Sequence, residues 1–393
     1  MELDIQNPSK NTIMVLDLGT GIIKCGLLYI GKNGKIEKLL GFFEKPSQGI
    51  ENGNIVNFQN LKTVLLDILE EVKNYTNDLI EEAFINISSN SFHAFTLSNK
   101  IDLSGKQVST KDVERVQRYD PPENDKSSIV VHTIPISYKL DSIQNIETPA
   151  GMFGSRLEAN MFIIETYRIS LMNIERCLAQ CSISLLGCSL TSYTSGLGVL
   201  GKKDSLYTMV VDIGYTGTTI TVFLNKKPLL SRYITLGFFS IIKDVACGMQ
   251  ISLSEAENII IQYGIATFIE NMDIEQNIDI LEKHFNIVEL VEIIKPRIEE
   301  ILEIIQESVQ GHTLNHVIIN GKASKLSGIK DLAEDTFHCP ISIGKPYFLD
   351  EELDVTFASL IGTVRYIENC LFHTKQNKRY KKYIKKIINF ISY

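Results

Sequence analysis

Two stretches of this chain, 195 residues apart, read as one motif: Met14-Val-Leu-Asp-Leu-Gly-Thr-Gly21 and Met209-Val-Val-Asp-Ile-Gly-Tyr-Thr-Gly217. Each begins as a short apolar run, which predicts a buried strand, and ends in Asp-x-Gly. Each is followed by a second apolar run, at 24–30 and 218–224, that reads as the partner strand of a hairpin. The spacing is too long for a solenoid repeat and suits a duplicated α/β domain.

An aspartate at the end of a buried strand is poor packing material, because its carboxylate must be solvated, paired or near a cation. Gly19 and Gly214 let the backbone turn tightly so that amides can face an anion. Thr20, Gly21, Gly217 and Thr218 add small donors that do not block approach, and Lys24 adds a positive charge near the first loop. Two such loops facing across a cleft would hold a triphosphate, with Asp17 and Asp212 orienting hydrated Mg2+, an ion that keeps several of its waters. One Asp-x-Gly alone reads equally well as an ordinary strand-end turn, so the pair carries the inference. A third glycine-bearing strand end, Val317-Ile-Ile-Asn-Gly321, is a candidate for the adenosine side, although by itself it is a simple strand-to-helix loop. No residue nominates itself as a hydrolytic base near a γ-phosphate, which points to ATP as a conformational ligand rather than a fuel.

At 393 residues the chain is long enough for two to four domains, and 44% apolar with 22% charged residues fits a globular protein. The formal net charge of −8 leaves the body no electrostatic reason to seek nucleic acid. Seven cysteines without a Cys-x-x-Cys pair read as reduced thiols of a cytosolic chain, Cys177 and Cys181 lying one helical turn apart. The first residues lack the pattern of a signal peptide, and no apolar run approaches the ~18–20 residues of a spanning helix. Between 90 and 164 the pattern changes. Ser- and Asn-rich turns, one helix near 110–118 and two long alternating strands at 128–140 and 156–166 predict a small α+β insert. Helical patterns are expected at 61–76, 169–179, 241–247, 254–263, 288–309, 328–336 and 358–370.

These motifs resemble those of the actin, sugar-kinase and heat-shock-chaperone superfamily, and within it the family of the bacterial cell-division protein FtsA. Asp17-Leu-Gly-Thr-Gly-Ile-Ile-Lys24 is similar to the first phosphate loop and Asp212-Ile-Gly-Tyr-Thr-Gly217 to the second. Lys45-Pro-Ser-Gln-Gly-Ile-Glu-Asn-Gly-Asn-Ile55, the insert with Val131-His-x-Ile-Pro135 and Pro149-Ala-Gly-x-x-Gly154, Ile293-Ile-Lys-Pro-Arg-Ile-Glu-Glu300, Ile319-Asn-Gly-Lys-Ala-Ser-Lys-Leu-Ser-Gly328 and Ala358-x-x-Ile-Gly362 extend the resemblance over nearly the whole chain. It implies an actin-like fold: two duplicated α/β halves around a nucleotide cleft, with an α+β insert subdomain. The expected parts are 1–89 with 166–203, the insert 90–165, 204–240 with 311–372, an outer subdomain 241–310, and a tail at 373–393. It also implies ATP and Mg2+ as cofactors, with Gly237, Glu257, Gly321 and Lys322 on the nucleotide beside the loop residues. The departures are Tyr215 and Thr216 in place of glycines, Phe238 after Gly237, Ile260 in place of a nucleotide-contacting lysine, and Lys322 in place of a glycine. They predict weak or altered ATP binding with slow or absent turnover.

The C-terminal segment is the compositional anomaly. Tyr380, Tyr383, Ile384, Ile387, Ile388 and Ile391 recur at helical spacing, and Lys381, Lys382, Lys385 and Lys386 fill much of the rest. A basic amphipathic helix of this kind lies in an anionic membrane surface, each lysine contributing on the order of 1 kcal/mol. By resemblance, Arg297 and Glu300 receive the C-terminal tail of the tubulin-like protein FtsZ, on a helix expected to begin at Lys295-Pro296. The resemblance implies a peripheral protein on the cytoplasmic face of the membrane at the division site, self-associating as a filament and meeting later division proteins. A pilus-assembly adaptor of the same fold and an ATP-dependent enzyme or chaperone are the alternatives.

Overall fold

The computed structural model describes residues 12–31, 36–119, 121, 127–201, 206–268, 277–280, 283–348 and 351–376, so the tail expected at 373–393 lies outside the described residues beyond Gln376, where helix Ala358–Gln376 ends. The expected duplication is present at the level of whole sheets. The first five-stranded sheet has the order Ser184–Leu190, Glu82–Ile87, Thr12–Leu18, Ile22–Ile30, Ile36–Pro46. The second has the order Ile341–Ile343, His316–Gly321, Thr208–Ile213, Thr218–Leu224, Lys227–Ile234, so it is extended by the same sequence of antiparallel and parallel pairings. The register repeats as well: Asp17 lies opposite Lys24 and Asn86, and Asp212 opposite Thr219 and Asn320.

Each sheet is covered by helices whose apolar stripes face it. Helix Phe58–Thr76 buries Leu61, Val64, Leu65, Ile68 and Val72 at helical spacing, is capped by Asn57 and ends on Asn77 in the left-handed conformation. Helix Ile287–Ser308 buries Leu290, Val291, Ile294, Ile298, Ile301 and Ile305 against the second sheet's covering layer. Pro296 is in its interior, which corrects the expected start at Lys295. The N-cap is Asn286, and the proline removes one interior hydrogen bond in exchange for a fixed φ. Two further helices, Thr191–Val199 and Ala358–Gln376, connect the halves, and the first of these was not legible because its buried face is built of Thr, Ser and Gly.

Between 90 and 165 the chain folds into a separate four-stranded sheet, Phe92–Asp102, Arg156–Tyr167, Ser128–Leu140, Ile143–Ile146, with one helix, Thr110–Val116, held by a Ser109/Asp112 capping box. It is seated on the first half through His132. The His132 ring is 1% exposed, its Nε2 accepts the Leu190 N–H at 3.0 Å, and Tyr193 and Tyr366 meet it edge-on. Burial holds its pKa down at about 3. Stability resting on the neutral ring is therefore complete above the unfolded pKa of about 6.5 and is lost as pH falls from there toward 3. Between pH 7 and pH 4.5 this amounts to about 2–3 kcal/mol. Urea midpoints of wild type and His132→Gln at the two pH values test it: the variant should lose less, and equal losses would contradict the assignment.

Candidate functional site

The strand ends of the two central hairpins meet across a cleft between the halves. Asp17 terminates Thr12–Leu18 and is 5% exposed. Its Oδ1 accepts from Asn86 Nδ2 at 2.8 Å and its Oδ2 from Ser359 Oγ at 2.6 Å. Asn86 is in turn surrounded by Thr191, Ser189 and Thr194, the last two donating to its Oδ1. On the other side Asp212 terminates Thr208–Ile213. Gly321 packs against it at φ +83°, where a Cβ would meet the Ile213 carbonyl oxygen at 2.3 Å and Asp212 Oδ1 at 2.8 Å, so only glycine fits. Asn320 occupies the register position of Asn86, yet its buried amide has no hydrogen-bond partner among the described residues. Burial, then the neighbouring Asp17, raises the Asp212 pKa to about 6, and Lys24 opposes the rise.

Both turns are tied by their own backbone: the Gly19 N–H donates to the Asp17 carbonyl at 3.2 Å, and the Gly214 N–H donates to the Asp212 and Gly217 carbonyls. Of the expected residues, Asp17, Gly19, Thr20, Gly21, Lys24, Asp212, Gly214, Gly217, Gly321 and Lys322 line one cavity of about 110 Å³. Thr218 does not. It is fully buried and its hydroxyl donates to the Leu236 carbonyl, while its neighbour Thr219 lines the cavity, because successive strand residues point to opposite faces. Gly237 supports the second loop from behind, where a Cβ would strike Gly217 N at 2.5 Å. Lys24, 8% exposed, is engaged by the Thr356 carbonyl and the Phe357 ring.

On the side expected to face adenosine, Lys322 Nζ pairs with Glu257 at 2.5 Å and lies over the Phe238 and Tyr215 rings at 5.1 and 5.9 Å. Tyr215 stacks on Phe239. Ile260 is 2% exposed and belongs to the core, so the cation on this side comes from the turn after Gly321 and not from the helix Leu253–Tyr263. Residues that sequence reasoning did not bring to the cleft are Asn52, Ser88, Thr191, Tyr233, Thr356 and Ser359. They come from turns, a strand and the first turns of the helices Thr191–Val199 and Ala358–Gln376, and each reaches the cleft only through the packing of a distant segment.

The two carboxylates suit a hydrated divalent cation: burial and then the neighbouring Asp17 disfavour the charge on Asp212, which a cation would offset, and Asp17 is aimed by two donors. Away from the cleft, Arg297 donates to Asp244 at 2.5 and 3.1 Å and pairs with Glu300, so these two residues share one surface of helix Ile287–Ser308. Among the described residues no helix is long and apolar enough to cross a membrane.

Two family models match the chain: "Cell division protein FtsA" over residues 209–362 and "SHS2 domain inserted in FTSA" over residues 90–165. Curated proteins described as cell division protein FtsA are similar along most of the chain. That of Pseudomonas aeruginosa is 24% identical over 377 residues, covering 91% of this chain and 89% of its own length. That of Bacillus subtilis is 25% identical, covering 89% and 82%. Among solved structures, a chain of the PilM-PilN type IV pilus biogenesis complex superposes with a TM-score of 0.63 at 15% identity, covering 91% of this chain and 98% of that one. MreB 5 of Spiroplasma citri bound to AMPPNP gives 0.55 at 12% identity, covering 94% and 100%. These likenesses show the actin-like fold.

Proposed function

The chain belongs to the FtsA family of cell-division proteins, and on that premise we propose that it tethers the FtsZ ring to the inner face of the cytoplasmic membrane and self-assembles as an ATP-binding, actin-like filament. The observation that carries the nucleotide part is the convergence of both Asp-x-Gly turns on one cavity. The polyphosphate lies between Gly19–Gly21 and Gly214–Gly217, where backbone amides and the hydroxyls of Thr20 and Thr219 meet it. Asp17 and Asp212 would hold hydrated Mg2+, which would neutralise charge on the phosphates. Lys322, its partner Glu257 and Gly321 form the nucleoside side, while Gly237 supports the second phosphate loop from behind. Hydrolysis is slow or absent, since the lining side chains beyond the two aspartates and two lysines are hydroxyl-bearing, amide or apolar groups. Calorimetric titration with ATP and magnesium tests this: submicromolar binding with steady phosphate release would sink the slow-turnover part.

The basic segment 378–393 binds the anionic membrane surface in this reading. Deleting it should abolish sedimentation with anionic liposomes, and unchanged pelleting would remove it as anchor. Arg297 and Glu300 receive the FtsZ tail. Because Arg297 is already held by Asp244 and Glu300, an incoming carboxylate competes with these partners. Arg297→Ala should weaken FtsZ tail-peptide binding by about tenfold, the usual cost of a lost charge-assisted bond, and wild-type affinity in the variant would refute the assignment. Electron microscopy on a lipid monolayer with and without ATP tests filament formation.

A further inference from the structure

Every cysteine among the described residues is a free thiol, and two of them have each other as neighbours. Cys177 and Cys181 lie one turn apart at the end of helix Arg168–Gln180, which packs beside helix Phe58–Thr76. Residues four apart project from the same face of a helix. Here that face is the buried one: Cys177 is 0% and Cys181 7% exposed, and both belong to the core that covers the first sheet. Cys181 caps the helix at φ −96° and ψ 11°, and the next residue, Ser182, turns the chain at φ +60°. Cys181 Sγ lies 4.0 Å from the Lys62 carbonyl oxygen, which places the pair against helix Phe58–Thr76. The Cys177 thiol donates to the Cys181 sulfur, and the positive charge of Lys62 acts on both. That donation, helped by Lys62 and opposed by burial, lowers the Cys181 pKa, while the same bond and burial raise that of Cys177. The lone buried thiols show the contrast. Burial pushes Cys188 up to about 12 and raises Cys25 as well. A thiolate is the reactive form, so the pair is set apart by chemistry as well as by position. Among the described residues no cluster of three His, Cys, Asp or Glu is available to hold a metal, which leaves the chemistry to the two sulfurs.

We propose that Cys177 and Cys181 are a peroxide-oxidised pair that closes into a disulfide across the last turn of helix Arg168–Gln180. The Cys181 thiolate attacks the terminal oxygen of a hydroperoxide. The O–O bond breaks, Cys181 becomes a sulfenic acid, and the departing alkoxide or hydroxide takes a proton from water. The Cys177 sulfur then attacks the Cys181 sulfur. The S–S bond forms, the S–O bond breaks, and the hydroxyl leaves as water with the Cys177 proton. The two thiols give up two electrons, and the peroxide takes up the same two. Helical residues four apart hold their Cβ atoms about 5–6 Å apart, and a disulfide needs roughly 3.5–4.5 Å. Cys181, as the cap, supplies the movement, and Cys177 stays in the helix. The bridge therefore rearranges the turn at 181–183 that feeds strand Ser184–Leu190. A transient disulfide of this kind is the form in which a chain of otherwise reduced thiols uses oxidation.

The test starts with the full-length wild type and needs no variant. The folded protein is treated with hydrogen peroxide, remaining thiols are alkylated, and the digest is read by mass spectrometry. The peptide carrying both cysteines should lose the mass of two hydrogens and resist alkylation, while Cys25 and Cys188 stay alkylatable after unfolding. A dithiol reductant should restore both thiols. In Cys177→Ser, a sulfenic-acid probe should label Cys181. In Cys181→Ser, Cys177 should stay reduced. Lys62→Met, which keeps the stem and removes the charge, should slow closure several-fold. A folded wild type in which 177 and 181 both stay alkylatable after peroxide overturns the proposal. Sulfenic acid trapped on Cys177 in preference to Cys181, or closure at an unchanged rate in Lys62→Met, overturns the assigned roles.

Discussion

Gly362→Ala should be the most damaging single methyl that can be added to this protein. Helices Thr191–Val199 and Ala358–Gln376 cross backbone to backbone: a Cβ on Gly362 would lie 1.6 Å from the Thr194 carbonyl oxygen and 2.9 Å from Gly198 N. The reciprocal contact, Gly198 on the Ala358 carbonyl oxygen at 1.9 Å, shows that neither helix can rotate to make space. Both contacts are with main chain, so no rotamer change relieves them and the helices must separate. Ser359 sits three residues before Gly362 and donates to Asp17, so separation also loosens the first aspartate. A loss of about 3–5 kcal/mol is expected, at the upper end for overpacking because backbone is struck. Gly105→Ala is the control. It sits at φ +76° with nothing within 4 Å and should cost only about 1 kcal/mol. Urea unfolding midpoints compare them, and equal midpoints would mean that the helix crossing is softer than its geometry indicates.

Asp212→Asn is expected to move stability and binding in opposite directions. The folded-state pKa of about 6 stands above the unfolded value near 3.8, so the native state prefers the protonated carboxyl. The protein is favoured below about pH 4, where Asp212 is neutral in both states. It loses stability as pH rises through 6 and carries the full cost at pH 7. Removing the charge should return about 1–2 kcal/mol at pH 7, a figure kept below the full shift because the side chain is half-buried. The gain should vanish near pH 4. In the proposed nucleotide site the same substitution removes one of the two carboxylates that would face hydrated magnesium, and ATP affinity in the presence of the metal should fall by at least about tenfold. Thermal melts of the nucleotide-free protein at pH 7 and pH 4, beside ATP titrations at pH 7, check both halves. A variant less stable than wild type at pH 7 would contradict the account by burial and the neighbouring Asp17.

Much of the fold was legible because it is written in local pattern. The strands Thr12–Leu18 and Thr208–Ile213 follow from short apolar runs, Thr218–Leu224 from its β-branched and aromatic residues, and the helix expected at 61–76, which starts at Phe58, from its spacing. The insert was visible as a change of rhythm near residue 90. The helix Thr191–Val199 was missed because its buried side is made of small polar residues, chosen for close approach and for partners elsewhere. Pro296 was read as a helix start because that is its commonest position, whereas the apolar stripe on both sides carries the helix through it.

The sequence by itself determined the two Asp-x-Gly turns, their place at the ends of duplicated strands, and the small residues a phosphate would need. Those properties depend on a handful of neighbouring residues and on side-chain size. Only the tertiary structure decided how the turns are used. Asp17 is aimed by Asn86 and Ser359, 69 and 342 residues away, while Asp212 has an idle asparagine beside it and a raised pKa. Asn52, in sequence an ordinary turn asparagine, accepts hydrogen bonds from Thr216 and Tyr233 across the cleft. Hydrogen-bond geometry and burial are properties of groups brought together by the chain's long-range folding, and local pattern carries no record of them.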